Sequence, residues 1–110
     1  MIEKARLGGT CVNVGCVPKK VMFNAASVIE AVHAAKHYGV SVGEVKVDWA
    51  AIKAKRDAYV ARLNGIYGRN LASSGVTSIT GEATFVGPRR VRVGEDEYTV
   101  REQRALHLLI

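Results

Sequence analysis

The sequence predicts an α/β fold made of two long helices followed by a small set of β-strands. A run of apolar residues at helical spacing extends from Val12 to about His37, and a second such run opens at Asp48. After Ser73-Ser74-Gly75 the pattern changes to short β-prone pieces, which places the strands last.

Residues 1–10 close on Leu7-Gly8-Gly9-Thr10, where adjacent glycines permit conformations a side chain blocks, and this predicts a loop. The first helix presents Val21, Ala25, Val28, Ile29, Val32 and Ala35 along one side and meets a stop at Tyr38-Gly39. Pro18 is tolerated only near a first turn, so the regular part begins close to it. Asp48 is a good N-cap for the second helix, which runs to roughly Asn70 with Ile52, Tyr59, Leu63 and Ile66 on one face. Lys53, Lys55, Arg56, Arg62 and Arg69 fall mostly on the other faces, the ordinary pattern of a solvated basic surface. Strands are predicted over residues 76–80, 83–86, 90–93 and 98–100, punctuated by Gly87-Pro88 and Gly94. Within them Arg90-Val91-Arg92-Val93 alternates as a half-buried strand does. Leu106-His107-Leu108-Leu109-Ile110 reads as a buried strand with no element after it. Two helices and a few short strands bury little, so these parts are expected to belong to something larger.

Composition narrows the function. A chain of 110 residues is one domain, and 48% hydrophobic with 24% charged residues is a globular rather than a disordered balance. No uncharged apolar stretch approaches the ~18–20 residues that cross a bilayer, and Met1-Ile2-Glu3-Lys4-Ala5-Arg6 lacks the apolar core of a signal peptide, so no membrane partner is expected. The net charge is 16 − 10 = +6, but the basic residues are spread along the chain and few aromatic side chains are present to stack bases. A solvated basic surface is therefore expected, and no nucleic-acid partner.

The informative pair is Cys11 and Cys16, in a C-x4-C spacing. On an ideal helix five residues separate Cα atoms by roughly 8.6 Å, whereas a disulfide needs about 4.4–6.8 Å. Bridging them requires distorted backbone, and Gly15 is the residue best able to supply it. A small strained disulfide ring is easily reduced. A helix N-terminus and the nearby Lys19 and Lys20 are expected to lower a thiol pKa here. Zinc is the competing chemistry, but His33, His37 and His107 show no ligand spacing with the pair. On spacing alone, a redox pair, two buried thiols and a metal site all stay open.

The full segment Gly8-Gly9-Thr10-Cys11-Val12-Asn13-Val14-Gly15-Cys16-Val17-Pro18-Lys19-Lys20 resembles the redox-active signature of the flavoprotein disulfide reductases, the class I pyridine nucleotide-disulfide oxidoreductases. Lys55-Arg56-Asp57-Ala58-Tyr59-Val60 and Arg62-Leu63-Asn64-Gly65-Ile66-Tyr67 resemble the next long helix of the glutathione-reducing branch, and Gly81-Glu82-Ala83-Thr84-Phe85 the strand region after it. The resemblance implies that residues 1–110 are an incomplete piece of a Rossmann-like FAD-binding domain. The parent enzyme would be a homodimer that reduces glutathione disulfide with NADPH through FAD. Cys11 would be the interchange thiol and Cys16 the charge-transfer thiol against the flavin. Lys19 would stand near the flavin's reactive nitrogen, with Thr10 and the backbone of Gly9 lining the flavin site. Glu3 would bind the adenosine ribose, Ala83 would meet the adenine end, and Tyr67 would border the glutathione site, while Tyr59 is packing.

The sequence also departs from that family. Its G-x-G-x-x-G phosphate turn, its NADPH and interface domains and its A-T-G turn are absent, and residues 100–104 do not fit. The expectation is a fragment, from a truncated or misread gene, with no turnover of its own. A cytoplasmic location is expected for the parent, or an organellar one if a leader preceded residue 1. Two other classes stay open: a flavin-free thiol–disulfide module and a binding module with a basic helical face.

Overall fold

The computed structural model describes residues 1–99, which fall into two compact units. One spans Leu7–Asn70 and is helical; the other joins Met1–Arg6 to the chain from Leu71 onward and carries the strands. The expectations for residues 100–104, for the end of the last strand at Val100 and for a strand at residues 106–110 lie outside the described residues.

In the helical unit, α1 (Gly9–Asn13) and α2 (Cys16–Ala34) are followed by a 3-10 turn over Ala35–Tyr38 and by α3 (Trp49–Ser73), of which the residues up to Asn70 belong to this unit. The expected loop through Thr10 is thus corrected, since Gly9 and Thr10 already open a helix. The physical reason is Gly8, whose φ of 102° makes the reversal in one residue. A Cβ on Gly8 would also stand 2.7 Å from Cβ of Val12, so the same glycine admits the close approach of a side chain that is only 5% exposed.

The continuous run expected from Val12 is broken between Asn13 and Cys16, and α2 starts at Cys16, ahead of Pro18. Pro18 sits in the first turn, where its missing N–H costs no hydrogen bond. The stop at Tyr38-Gly39 is borne out, with Gly39 in the left-handed region and its N–H on the Lys36 carbonyl. The cap of α3 is also as expected: the Ala51 N–H donates to Oδ1 of Asp48 at 2.9 Å. Val12 on α1 and Val60 on α3 are the buried hydrophobic side chains of this unit among the described residues, and α2 has none.

In the other unit, β1 (Ile2–Glu3) pairs parallel with β2 (Ile79–Thr80), Ile2 opposite Ile79 and Glu3 opposite Thr80. β3 (Ala83–Gly87), β4 (Arg90–Val93) and β5 (Asp96–Thr99) form an antiparallel meander with Ala83 opposite Val93 and Val93 opposite Asp96. The predicted alternation on β4 holds, with Val91 and Val93 turned inward and Arg90 and Arg92 exposed. A parallel pair needs a crossover, and the helical segment between β1 and β2 provides it in sequence. The chain is therefore mixed helix and strand, as predicted, with two long helices and small sheets.

Candidate functional site

The site is built at the junction of α1 and α2. α1 ends at Asn13, the Val14 N–H returns to the Thr10 carbonyl at 3.0 Å, and the chain turns at Gly15 into α2, with the Lys19 N–H on the Gly15 carbonyl at 3.2 Å. Gly15 is pressed on the preceding helix: a Cβ there would lie 3.0 Å from the Thr10 carbonyl oxygen and 3.2 Å from Cα of Cys11. Both neighbours are backbone atoms, which cannot swing aside. The distortion expected at Gly15 is therefore present, and it brings Thr10 and Cys11 against the start of α2, whose first residue is Cys16.

Both cysteines are free thiols and both are exposed. The expectation of a lowered thiol pKa is corrected for Cys11, which is raised above the ordinary thiol value. The largest cause is its side-chain hydrogen bond with Cys16, which holds the proton; partial desolvation and the negative charge of a Cys16 thiolate add to it. The backbone N–H groups of Cys16 and Val17, in the first turn of α2, pull the other way and lose. Lys19 and Lys20 are not among the groups that move it. The helix terminus does act on Cys11 as expected, but the second sulfur outweighs it.

The other predicted residues divide between the two units. Gly9, Thr10, Cys11, Cys16, Lys19 and Tyr67 belong to the helical unit, with Gly9, Thr10 and Lys19 exposed and the Tyr67 ring 43% exposed on α3. Glu3 and Ala83 belong to the other unit, where the Gly81 N–H donates to the Glu3 carbonyl at 3.0 Å and Lys4 pairs with Glu82 at 2.7 Å. One carboxylate oxygen of Glu3 accepts the Ala5 N–H at 2.9 Å. Among the described residues no group of three or more His, Cys, Asp and Glu side chains is placed to hold a metal ion. No helix among them is long and apolar enough to cross a membrane.

Comparison with known proteins finds relatives of this segment. No protein-family model matches the chain. Curated proteins named glutathione reductase do: that of Schizosaccharomyces pombe is 53% identical over 89 residues, and that of Yarrowia lipolytica 56% over 89 residues. The chain is homologous to a segment of the glutathione reductases. A third relative, from Debaryomyces hansenii, is 49% identical over 109 residues, which is 94% of this chain. The chain spans about one fifth of these glutathione reductases, 19–21% of each.

Exposed Thr10, Cys16 and Lys19 offer a hydroxyl, a thiol and an ammonium around one helix junction, and the missing Cβ of Gly9 leaves open space beside them. Sequence reasoning missed two residues that hold this junction in place. Asn64 on α3 donates through Nδ2 to the Leu7 carbonyl at 2.6 Å and to Oδ1 of Asn13 at 3.0 Å. Asn13 in turn donates to the Leu7 and Gly9 carbonyls at 3.2 and 2.9 Å. A signal was available: asparagine is a poor helix former, and Asn64 stands mid-helix between Leu63 and Ile66.

Proposed function

We propose that this chain is part of the Rossmann-like FAD-binding domain of an NADPH-dependent glutathione-disulfide reductase, with Cys11 and Cys16 as its redox pair. The observation that carries the reading is the placement of both cysteines, free and exposed, on either side of one glycine-permitted helix junction. Homology to glutathione reductases over most of the chain supports it.

The chemistry of the chain's own residues follows. The Cys11 thiolate attacks one sulfur of glutathione disulfide, forming a Cys11–glutathione mixed disulfide and releasing one glutathione thiolate, which takes up a proton. The Cys16 thiolate then attacks Sγ of Cys11 and displaces the second glutathione. The pair has given up two electrons and ends as the Cys11–Cys16 disulfide. Proximity drives the second step, because Cys16 opens the helix on whose first N–H groups Cys11 rests. When bound, FAD supplies two-electron exchange with the pair, on electrons from NADPH. Gly9, Thr10 and Lys19 would hold that cofactor, and Tyr67 would border the glutathione site. The parent acts as a homodimer under this reading.

A chimera tests the proposal: the matching segment of the Schizosaccharomyces pombe enzyme is replaced by this chain's residues. The expected result is NADPH-dependent reduction of glutathione disulfide, abolished by Cys11→Ser and by Cys16→Ser. A folded, FAD-loaded chimera without turnover would overturn it. Because both thiols lie in one unit, a flavin-free thiol–disulfide module is the second reading, and that same inactive chimera would favour it.

A further inference from the structure

We propose that Asn64 is a positioning residue for the redox pair: its side-chain amide locks the turn before α1 and so fixes Cys11 over the start of α2. This rests on the reading of Cys11 and Cys16 as a redox pair. With five residues, α1 is far shorter than the ~12–15 that sustain a helix alone, so its orientation comes from tethers. One is the burial of Val12 beneath Gly8. The other is the amide pair. The Leu7 carbonyl, directly before the turn at Gly8, receives Nδ2 of Asn64 at 2.6 Å and Nδ2 of Asn13 at 3.2 Å. Asn13, the last residue of α1, receives the Asn64 amide on Oδ1 at 3.0 Å. The grip therefore closes on both ends of α1, with Cys11 in the middle.

The same stripe of α3 reaches the turn a second time. Gly68, one helical turn beyond Asn64, leaves only contact distance to Leu7, 3.7 Å from its Cβ direction to Cδ1. α3 gains nothing for its own helix from an asparagine, which a leucine would serve better. What Asn64 adds is a donor aimed 57 residues back along the chain, at the segment that carries Cys11. Since Cα of Cys11 is packed on Gly15, a small rotation of α1 moves Sγ away from the Cys16 and Val17 N–H groups and from the second sulfur.

The test is the dithiol–disulfide equilibrium of the whole chain with dithiothreitol, which needs no flavin. As the Cys11–Cys16 bond forms, the ring disulfide of oxidised dithiothreitol breaks, and two electrons and two protons pass to it. Asn64→Asp keeps the shape and removes both donors. It is expected to lower the equilibrium constant for the protein disulfide at least about five-fold and to displace the pH profile of Cys11 alkylation. Asn64→Gln, which restores an amide, recovers part of the loss. Ile52→Ala, near the other end of α3, lowers the melting temperature and leaves both readouts unchanged. An Asn64→Asp chain that is folded by circular dichroism with unaltered equilibrium and pH profile overturns the proposal, as does an equal shift in Ile52→Ala. If Asn64→Asp fails to fold, Asn13→Ala must give a smaller shift in the same direction, and none there overturns it. A wild-type chain that forms no internal disulfide at any ratio removes the redox reading as well, which separates that failure from this one.

Discussion

Cys11 is pulled in two directions, and the balance decides when it reacts. The thiolate is the nucleophile, so raising the pKa reduces the reactive fraction at neutral pH. Cys16→Ala removes the hydrogen bond and the charge that raise it and keeps the backbone N–H groups that lower it. The rate of Cys11 alkylation by iodoacetamide is therefore expected to reach half-maximum at lower pH in Cys16→Ala than in the parent. A midpoint that stays or rises would mean that the second sulfur does not govern the first. Gly15→Ala sets a Cβ 3.0 Å from the Thr10 carbonyl oxygen, on backbone that can yield only by moving α1. It is expected to destabilise the helical unit by roughly 1–3 kcal/mol and to reduce internal disulfide formation, measured by thermal melts and by thiol counting. Of these features the pair and Gly15 were legible, because bridging a C-x4-C pair requires distorted backbone and Gly15 is the residue best able to supply it. The direction of the Cys11 shift was not, since it depends on a hydrogen bond between side chains that spacing alone does not reveal.

The elements show the same division between local and distant causes. Asp48 was legible as the cap of α3 because capping is chemistry within one turn: the side chain accepts the Ala51 N–H and the carbonyl takes the Ile52 N–H at 3.1 Å. Asp48→Ala is expected to cost about 1 kcal/mol, visible as a lower melting temperature of the helical signal with the Cys11–Cys16 chemistry unchanged. β4 was legible by its alternation. β1 was not, because a strand of two residues exists only by pairing with Ile79–Thr80, a partnership of long sequence separation. α1 was hidden for a related reason: adjacent glycines signal a loop, and the helix after them is held by Val12 and by Asn64 from far along the chain.

At the scale of the whole molecule, 48% of the residues are hydrophobic, yet among the described ones only Val12, Val60 and Val93 are buried hydrophobics. Phe23 and Val28 on α2 are 67% and 63% exposed. Val21, Ala25, Ile29 and Val32 of α2 face Val47 and Ile52 across an open groove of about 390 Å³. So much uncovered apolar surface predicts that the isolated chain enhances the fluorescence of anilinonaphthalene sulfonate in native buffer, without denaturant. Fluorescence at the level of a well-packed control protein would contradict it. The small core was legible in the count of elements, and the family in the segment around the cysteines. The division into two units was not, because it depends on which strands find each other. The central claim, that Cys11 attacks and Cys16 resolves, is tested most directly by intact mass spectrometry after exposure of the chain to glutathione disulfide. The expected result is an internal disulfide in the parent chain, a single glutathione adduct on Cys11 in Cys16→Ser, and no internal disulfide in Cys11→Ser. A parent chain that accumulates glutathione adducts and never closes the Cys11–Cys16 bond would contradict it.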